Sequence, residues 1–135
     1  MALVNWDPSY SVKVTRCDED HKQLFALINT LHEAMVAGKG TEVARQVVKE
    51  LLDYTRYHFT AEEALLEKTK YPALPFHRVQ HQAFIKKVQQ FQEDVAAGSV
   101  GQSIQVVNFL KNWLVSHIKE VDQKYAAHLN ANGIS

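Results

Sequence analysis

Apolar side chains recur at alternating steps of three and four along four separate stretches of this chain. The first seam runs His21, Leu24, Ile28, Leu31, Met35, and the second Val48, Leu51, Thr55, His58, Glu62, Leu65. The third runs His77, His81, Phe84, Val88, Phe91, Val95, and the fourth Ile104, Val107, Leu110, Leu114, His117, Val121, Tyr125. That spacing predicts amphipathic helices, each with one stripe turned to a core. The breaks between them are sparse. Gly38 and Gly40 stop the first helix near Ala37, and Thr41 is placed to cap a second that ends near Lys70, before Tyr71-Pro72. Pro75 suits the first turn of a third helix ending at Ala97 before Gly98. Gly101 or Ser103 opens a fourth that continues to about Leu129, with Gly133 marking a frayed tail.

Helices of roughly 20–29 residues span about 30–43 Å. Short connections make successive helices antiparallel, so the expected fold is all-α, an up-down-up-down four-helix bundle. Residues 1–17 carry Pro8 and the β-branched alternation Val12, Val14, Thr15, and read as an extended N-terminal arm. Asp18-Glu19-Asp20 places three acids where a helix N-terminus favours negative charge. The expectation is one domain over 1–135, made of an arm (1–17), a bundle (18–129) and a tail (130–135).

Composition narrows the function classes. With 15 basic and 15 acidic residues the formal charge is zero, which argues against nucleic acid or an anionic membrane as partner. No apolar run reaches the length of a membrane span, and the first residues lack the basic region of a signal peptide. The single cysteine, Cys17, has no internal partner and fits a reducing compartment; a cytoplasmic monomer is expected. The unusual number is seven histidines in a chain with so few turn residues.

Five of those histidines and two carboxylates interrupt the apolar seams: His21, His58, Glu62, His77, His81, His117 and Asp122. Buried without partners, such groups would cost several kcal/mol each. His58 and Glu62 form H-x-x-x-E, and His77 and His81 form H-x-x-x-H, so each pair sits one turn apart on one face. Asp122 lies five residues after His117, about 140° round an ideal helix, and needs a longer reach or a local bulge to join them. In an antiparallel bundle all four sets fall at the same end. A core histidine bonded to a backbone carbonyl explains any one of these residues, but not seven at one level. Seven ligands exceed one tetrahedral zinc, and mixed imidazole and carboxylate donors without thiolate suit a pair of iron or manganese ions. His32 and His128 lie three turns, about 16 Å, from His21 and His117, too far to share those ions.

The order His…H-x-x-x-E…H-x-x-x-H…H-x-x-x-x-D, with the turn Asp18-Glu19-Asp20-His21-Lys22-Gln23-Leu24, resembles the hemerythrin family in its bacterial form. The resemblance covers residue 4 to about 126, with every ligand position filled. It implies two non-haem iron ions joined by a bridging oxo or hydroxo group and binding dioxygen reversibly. Carried over, His77, His81 and His117 hold one iron, His21 and His58 the other, and Glu62 and Asp122 bridge them. Leu24, Phe59, Trp113, Leu114 and Ile118 are expected around the oxygen pocket, with Phe84 and Val121 among their apolar neighbours. Cys17 stands where relatives commonly carry an aliphatic residue and is expected to pack. The arm bearing Trp6 is expected to cover the bundle.

The implied function is oxygen storage, transport or delivery in a bacterial cell, with an oxygen-consuming enzyme as a candidate recipient. A di-iron oxidase, a peroxide or nitric oxide scavenger and an oxygen or iron sensor are the alternatives. Oxidase bundles carry paired E-x-x-H motifs, and this chain contains none.

Overall fold

The computed structural model describes residues 3–37, 40–97 and 103–135. Helix α1 spans Thr15–Val36, α2 Gly40–Lys68 and α3 Leu74–Ala96. The fourth run comprises α4 (Ser103–Ser116), a π-helical segment (His117–Asp122) and α5 (Gln123–Ala131). Helix α1 packs on α2, α2 on α3, α3 on α4 and α4 back on α1, which closes an antiparallel four-helix bundle. The stops at Gly38 and Gly98, an opening at Gly101, the Thr41 cap and the seam position Ile104 lie outside the described residues and side chains.

Each seam is buried where its period predicts it, with three exceptions, of which half-buried Met35 at the end of α1 is one and the other two are informative. Leu66 rather than Leu65 is fully buried at the end of α2. In the fourth run Val121 is only half-buried, while Ile118 and Asp122 turn inward. The cause is the π segment, whose wider turn shifts the buried stripe by one position. Gly40 opens α2 rather than ending α1.

The arm is shorter and more structured than an extended strand. Pro8–Tyr10 form a 3-10 turn, and α1 begins at Thr15 rather than at the acidic triplet. Val12 and Val14 are buried, and Lys13 between them lies in the left-handed region (φ 60°). Asp18 ties this bend to the helix: its carboxylate accepts from Ser11 Oγ at 2.6 Å and from the Val12 amide at 2.8 Å. Val4 and Asn29 exchange two hydrogen bonds, Tyr10 meets Phe25 edge-on, and Gln123 donates to the Ser11 carbonyl. The arm therefore seals α1 against the fourth run, at the end of the bundle that holds the histidines.

The C-terminus is capped, not frayed. Gly133 adopts φ 80°, its amide reaches the Asn130 carbonyl, and the Ile134 amide returns to Leu129 at 2.9 Å. At the turn after α2, His128 Nε2 donates to the Thr69 carbonyl at 2.9 Å, and its ring lies against Tyr71. A carbonyl accepts, so Nε2 carries the proton there; His128 fastens this turn.

Candidate metal centre

The seven polar residues that break the seams meet at one level of the bundle. His21 comes from the second turn of α1, His58 and Glu62 from α2, His77 and His81 from the start of α3, and His117 and Asp122 from the two ends of the π segment. All seven are at most 3% exposed. One donor atom each from Glu62, His77, His81, His117 and Asp122 lies within 4.8 Å of the others, and His21, His58 and Glu62 form a second such set. Glu62 belongs to both.

The π turn is what admits Asp122. In a regular helix positions i and i+5 diverge, but the wider turn returns Asp122 beneath His117, with Oδ1 3.0 Å from His117 Nε2. The other oxygen lies 3.3 Å from His21 Nε2, so this carboxylate stands between the two sets. Glu62 does the same: Oε1 is 2.7 Å from His77 Nε2, and Oε2 is 3.2 Å from His58 Nε2.

Whether these residues suit a metal can be read from their unmet bonding. The Nε2 atoms of His21, His58, His81 and His117 and Oδ1 of Asp122 are buried without a hydrogen-bond partner, although carboxylate oxygens stand close by. Imidazole lone pairs and carboxylate oxygens crowded together, yet not angled at one another, are placed to share cations between them. The donors fit a metal pair.

Residues behind the donors hold them in place. Asp20 Oδ2 sits 2.9 Å from His58 Nδ1 while its Oδ1 accepts from Tyr54 Oη at 2.8 Å. Glu63 Oε2 takes His81 Nδ1 at 2.8 Å and is itself bonded by Arg78. A carboxylate on Nδ1 fixes the tautomer that leaves Nε2 free for a metal. Tyr125 donates from its hydroxyl to Glu62 Oε2 at 2.7 Å. Sequence reasoning missed Asp20, Glu63 and Tyr125 as supports. Asp20 beside His21, Glu63 beside Glu62 and Tyr125 three residues after Asp122 were visible, but the partner each meets lies on a different helix. Replacing Asp20 with asparagine is expected to weaken metal affinity about 10- to 100-fold, read by competition with a chelator. Unchanged affinity would show that His58 needs no orienting partner.

Apolar side chains surround this cluster. Phe59 stacks on His81 with centroids 3.7 Å apart, and Trp113 stacks on His117 at 4.6 Å. Leu24, Leu114 and Ile118 are fully buried within one turn of His21 or His117. Trp113 is only half-buried, and with His117 it borders a surface groove of about 290 Å³ between α3 and the fourth run. Cys17 is buried beside Tyr125, and burial pushes its thiol up to about 12, so it packs as a neutral group. His32 is half-buried, away from the cluster.

Without metal, the cluster stores protons. Burial opposes charge on His58, but Glu62, Asp20 and Asp122 outweigh it and raise its pKa to about 10. Burial likewise opposes charge on His77, and Asp122 and Glu62 lift it to about 9. Glu62 lies well below the carboxylate range despite its burial, because His58, His21 and His77 surround it. Raised imidazole values stabilise the fold fully below their unfolded value of 6.5, and that contribution is lost as pH rises through about 9 to 10. The depressed Glu62 stabilises above its unfolded value of 4.5 and is lost as pH falls through its lower folded value. The melting temperature of the metal-free protein is expected to fall as pH rises from about 6.5 to about 10. A flat profile there would show that these imidazoles are neutral in the metal-free fold.

Comparison with known proteins agrees with this geometry. Residues 12–129 match the family described as the hemerythrin HHE cation binding domain. The chain is similar to a bacteriohemerythrin of Stenotrophomonas maltophilia (strain R551-3), 34% identical over 96% of this chain and 86% of that protein. A bacteriohemerythrin of Methylococcus capsulatus (strain ATCC 33009 / NCIMB 11132 / Bath) is 30% identical over 97% of this chain and its own full length. Among solved structures, a wild-type hemerythrin superposes with a TM-score of 0.88 at 28% identity, covering 95% of this chain and 98% of that one. Four antiparallel helices, a shared carboxylate between two histidine sets and a family match across the bundle lead to one conclusion: the chain belongs to the hemerythrin family.

Proposed function

We propose that this protein binds dioxygen reversibly at a pair of non-haem iron ions and stores or delivers it within a bacterial cell. The observation that carries the reading is the pair of buried donor sets joined at Glu62. There His77, His81 and His117 would hold one iron, His21 and His58 the other, and Glu62 and Asp122 would serve both, with an oxo or hydroxo group completing the pair. Bound there, ferrous iron supplies the electrons and the open coordination position that reversible dioxygen binding requires.

The chain's own residues make the binding reversible. Asp20 and Glu63 hold His58 and His81 with Nε2 directed inward. Tyr125 keeps its proton on its own oxygen while bonding Glu62, since burial raises its pKa well above 10. Leu24, Phe59, Leu114 and Ile118 exclude water, and none of them can give or take a proton. That lining favours a carrier over an enzyme, because turnover of dioxygen needs protons delivered beside the open position. A buried reduced thiol at Cys17 suits the cytoplasm, where we place the protein as a monomer supplying an oxygen-consuming enzyme.

The test is optical. The protein is loaded anaerobically with ferrous iron, its iron is counted, and spectra are recorded through addition and removal of air. A visible band that appears in air and vanishes on deoxygenation supports a carrier. A one-way change points to an oxidase, a scavenger or an iron store, and failure to take up iron removes the metal assignment.

A further inference from the structure

Three cations lie on the outer face where α1 meets α2: Arg56 and Lys68 have no acidic partner, and Arg16 feels only Asp20, one turn along α1. Arg16, Arg56 and Lys68 border a groove of about 540 Å³ floored by Tyr57, Ala61 and Ala64. Among the described residues no carboxylate lies within ion-pair distance of any of the three. Nearby acids are engaged elsewhere: Asp20 bonds Tyr54 and His58, Glu63 and Glu67 pair with Arg78, and Glu19 with Lys22. Arg16 instead donates to Tyr57 Oη at 3.3 Å, with its guanidinium over that ring.

This groove is wired to the buried centre. Tyr57 is 53% exposed, and its ring centroid is 5.6 Å from that of Tyr54. The Tyr54 hydroxyl donates to Asp20, whose other oxygen meets His58 Nδ1. Four side chains thus lead from solvent to a residue of the donor cluster, with each step a hydrogen bond or a ring contact. The donor residues are at most 3% exposed, so a protein reductant cannot touch an iron pair there and its electrons must cross intervening side chains.

We propose that the groove is the docking site for the acidic face of a one-electron donor protein, and that electrons pass by Tyr57, Tyr54, Asp20 and His58 to return ferric iron to the ferrous state. This rests on the iron reading above. Each encounter oxidises the donor by one electron and reduces one ferric ion, so two encounters restore the pair. No bond forms or breaks in the path. Unpaired cations call for an anionic partner, and the apolar floor calls for side chains rather than phosphates. A long polyanion is disfavoured because Glu50 and Asp53 line the adjoining groove across Tyr57, and the chain as a whole is neutral.

The experiment uses iron-loaded, air-oxidised protein and a reduced plant-type [2Fe–2S] ferredoxin, a strongly acidic donor, as the probe. In stopped-flow at low salt, Arg56→Glu/Lys68→Glu is expected to slow reduction by ferredoxin at least about tenfold, and 0.3 M salt to slow the wild type similarly. Reduction by dithionite, iron content and oxygen spectra stay unchanged in that variant. A titration with oxidised ferredoxin, in which no electron moves, is expected to shift NMR signals around Arg16, Arg56 and Lys68 in the wild type alone. Equal ferredoxin rates in both proteins, or shifts on another face, overturn the proposal. So does occupation of the groove by duplex DNA or anionic vesicles but not by ferredoxin. Failure of the iron reading looks different: the wild type then lacks iron or the reversible band, whatever the titration shows.

Discussion

Replacing Glu62 with alanine is expected to reduce bound iron from about two per chain to well below one, the largest loss available from a single side chain. Glu62 is the one residue common to both donor sets, with one oxygen toward His77 and the other toward His58. Its removal takes an anionic donor from both ions at once and leaves the Tyr125 hydroxyl without its acceptor deep in the core. Among the described residues every other donor belongs to one set, so replacing His58 should cost less. Iron assay after anaerobic loading reads the result, with circular dichroism confirming that the helices persist. Full loading of both the Glu62 and the His58 variants would sink the ligand assignment.

The second large effect is expected at Leu114. The side chain is fully buried in α4, three residues before His117 and four before Ile118. Truncation to alanine removes three carbons from a packed interior and is expected to destabilise the fold by about 2–5 kcal/mol. The space left lies within a turn of an imidazole whose Nε2 has no hydrogen-bond partner, in a polar setting that gives water partners. Autoxidation of the oxygenated protein should therefore accelerate, followed by decay of its visible band at fixed temperature. Replacement by methionine, which keeps the volume, is expected to restore much of both properties. An unchanged autoxidation rate in the alanine variant would remove Leu114 from the oxygen pocket.

Much of the bundle was legible because helix periodicity is a local property. Four stripes at steps of three and four predict four helices, and short connections make them antiparallel whatever their packing. The candidate donors were legible for a related reason. Histidine and carboxylate in an otherwise apolar stripe contradict burial unless something pairs them, and antiparallel order brings all four sets to one end. Boundaries were less legible. The start of α1 at Thr15 depends on Val12 and Val14 finding a buried surface, and on Asp18 reaching back to Ser11 and Val12. Gly133 looked like a loose end, yet its left-handed conformation completes a capping motif with Leu129 and Asn130.

The sequence by itself determined the helices, their order, the level at which seven candidate donors meet and the family to which the chain belongs. These follow from spacing along one strand of covalent structure. Only the tertiary structure decided how Asp122 joins His117, because a π turn exists where packing and a shared site repay the loss of regular helix geometry. It also decided which carboxylate steadies which imidazole, since Asp20 and His58, or Glu63 and His81, belong to different helices. The basic groove over Tyr57 likewise arises where α1 and α2 meet. Contacts between helices are set by how their surfaces fit, and no periodicity along a single helix contains that information.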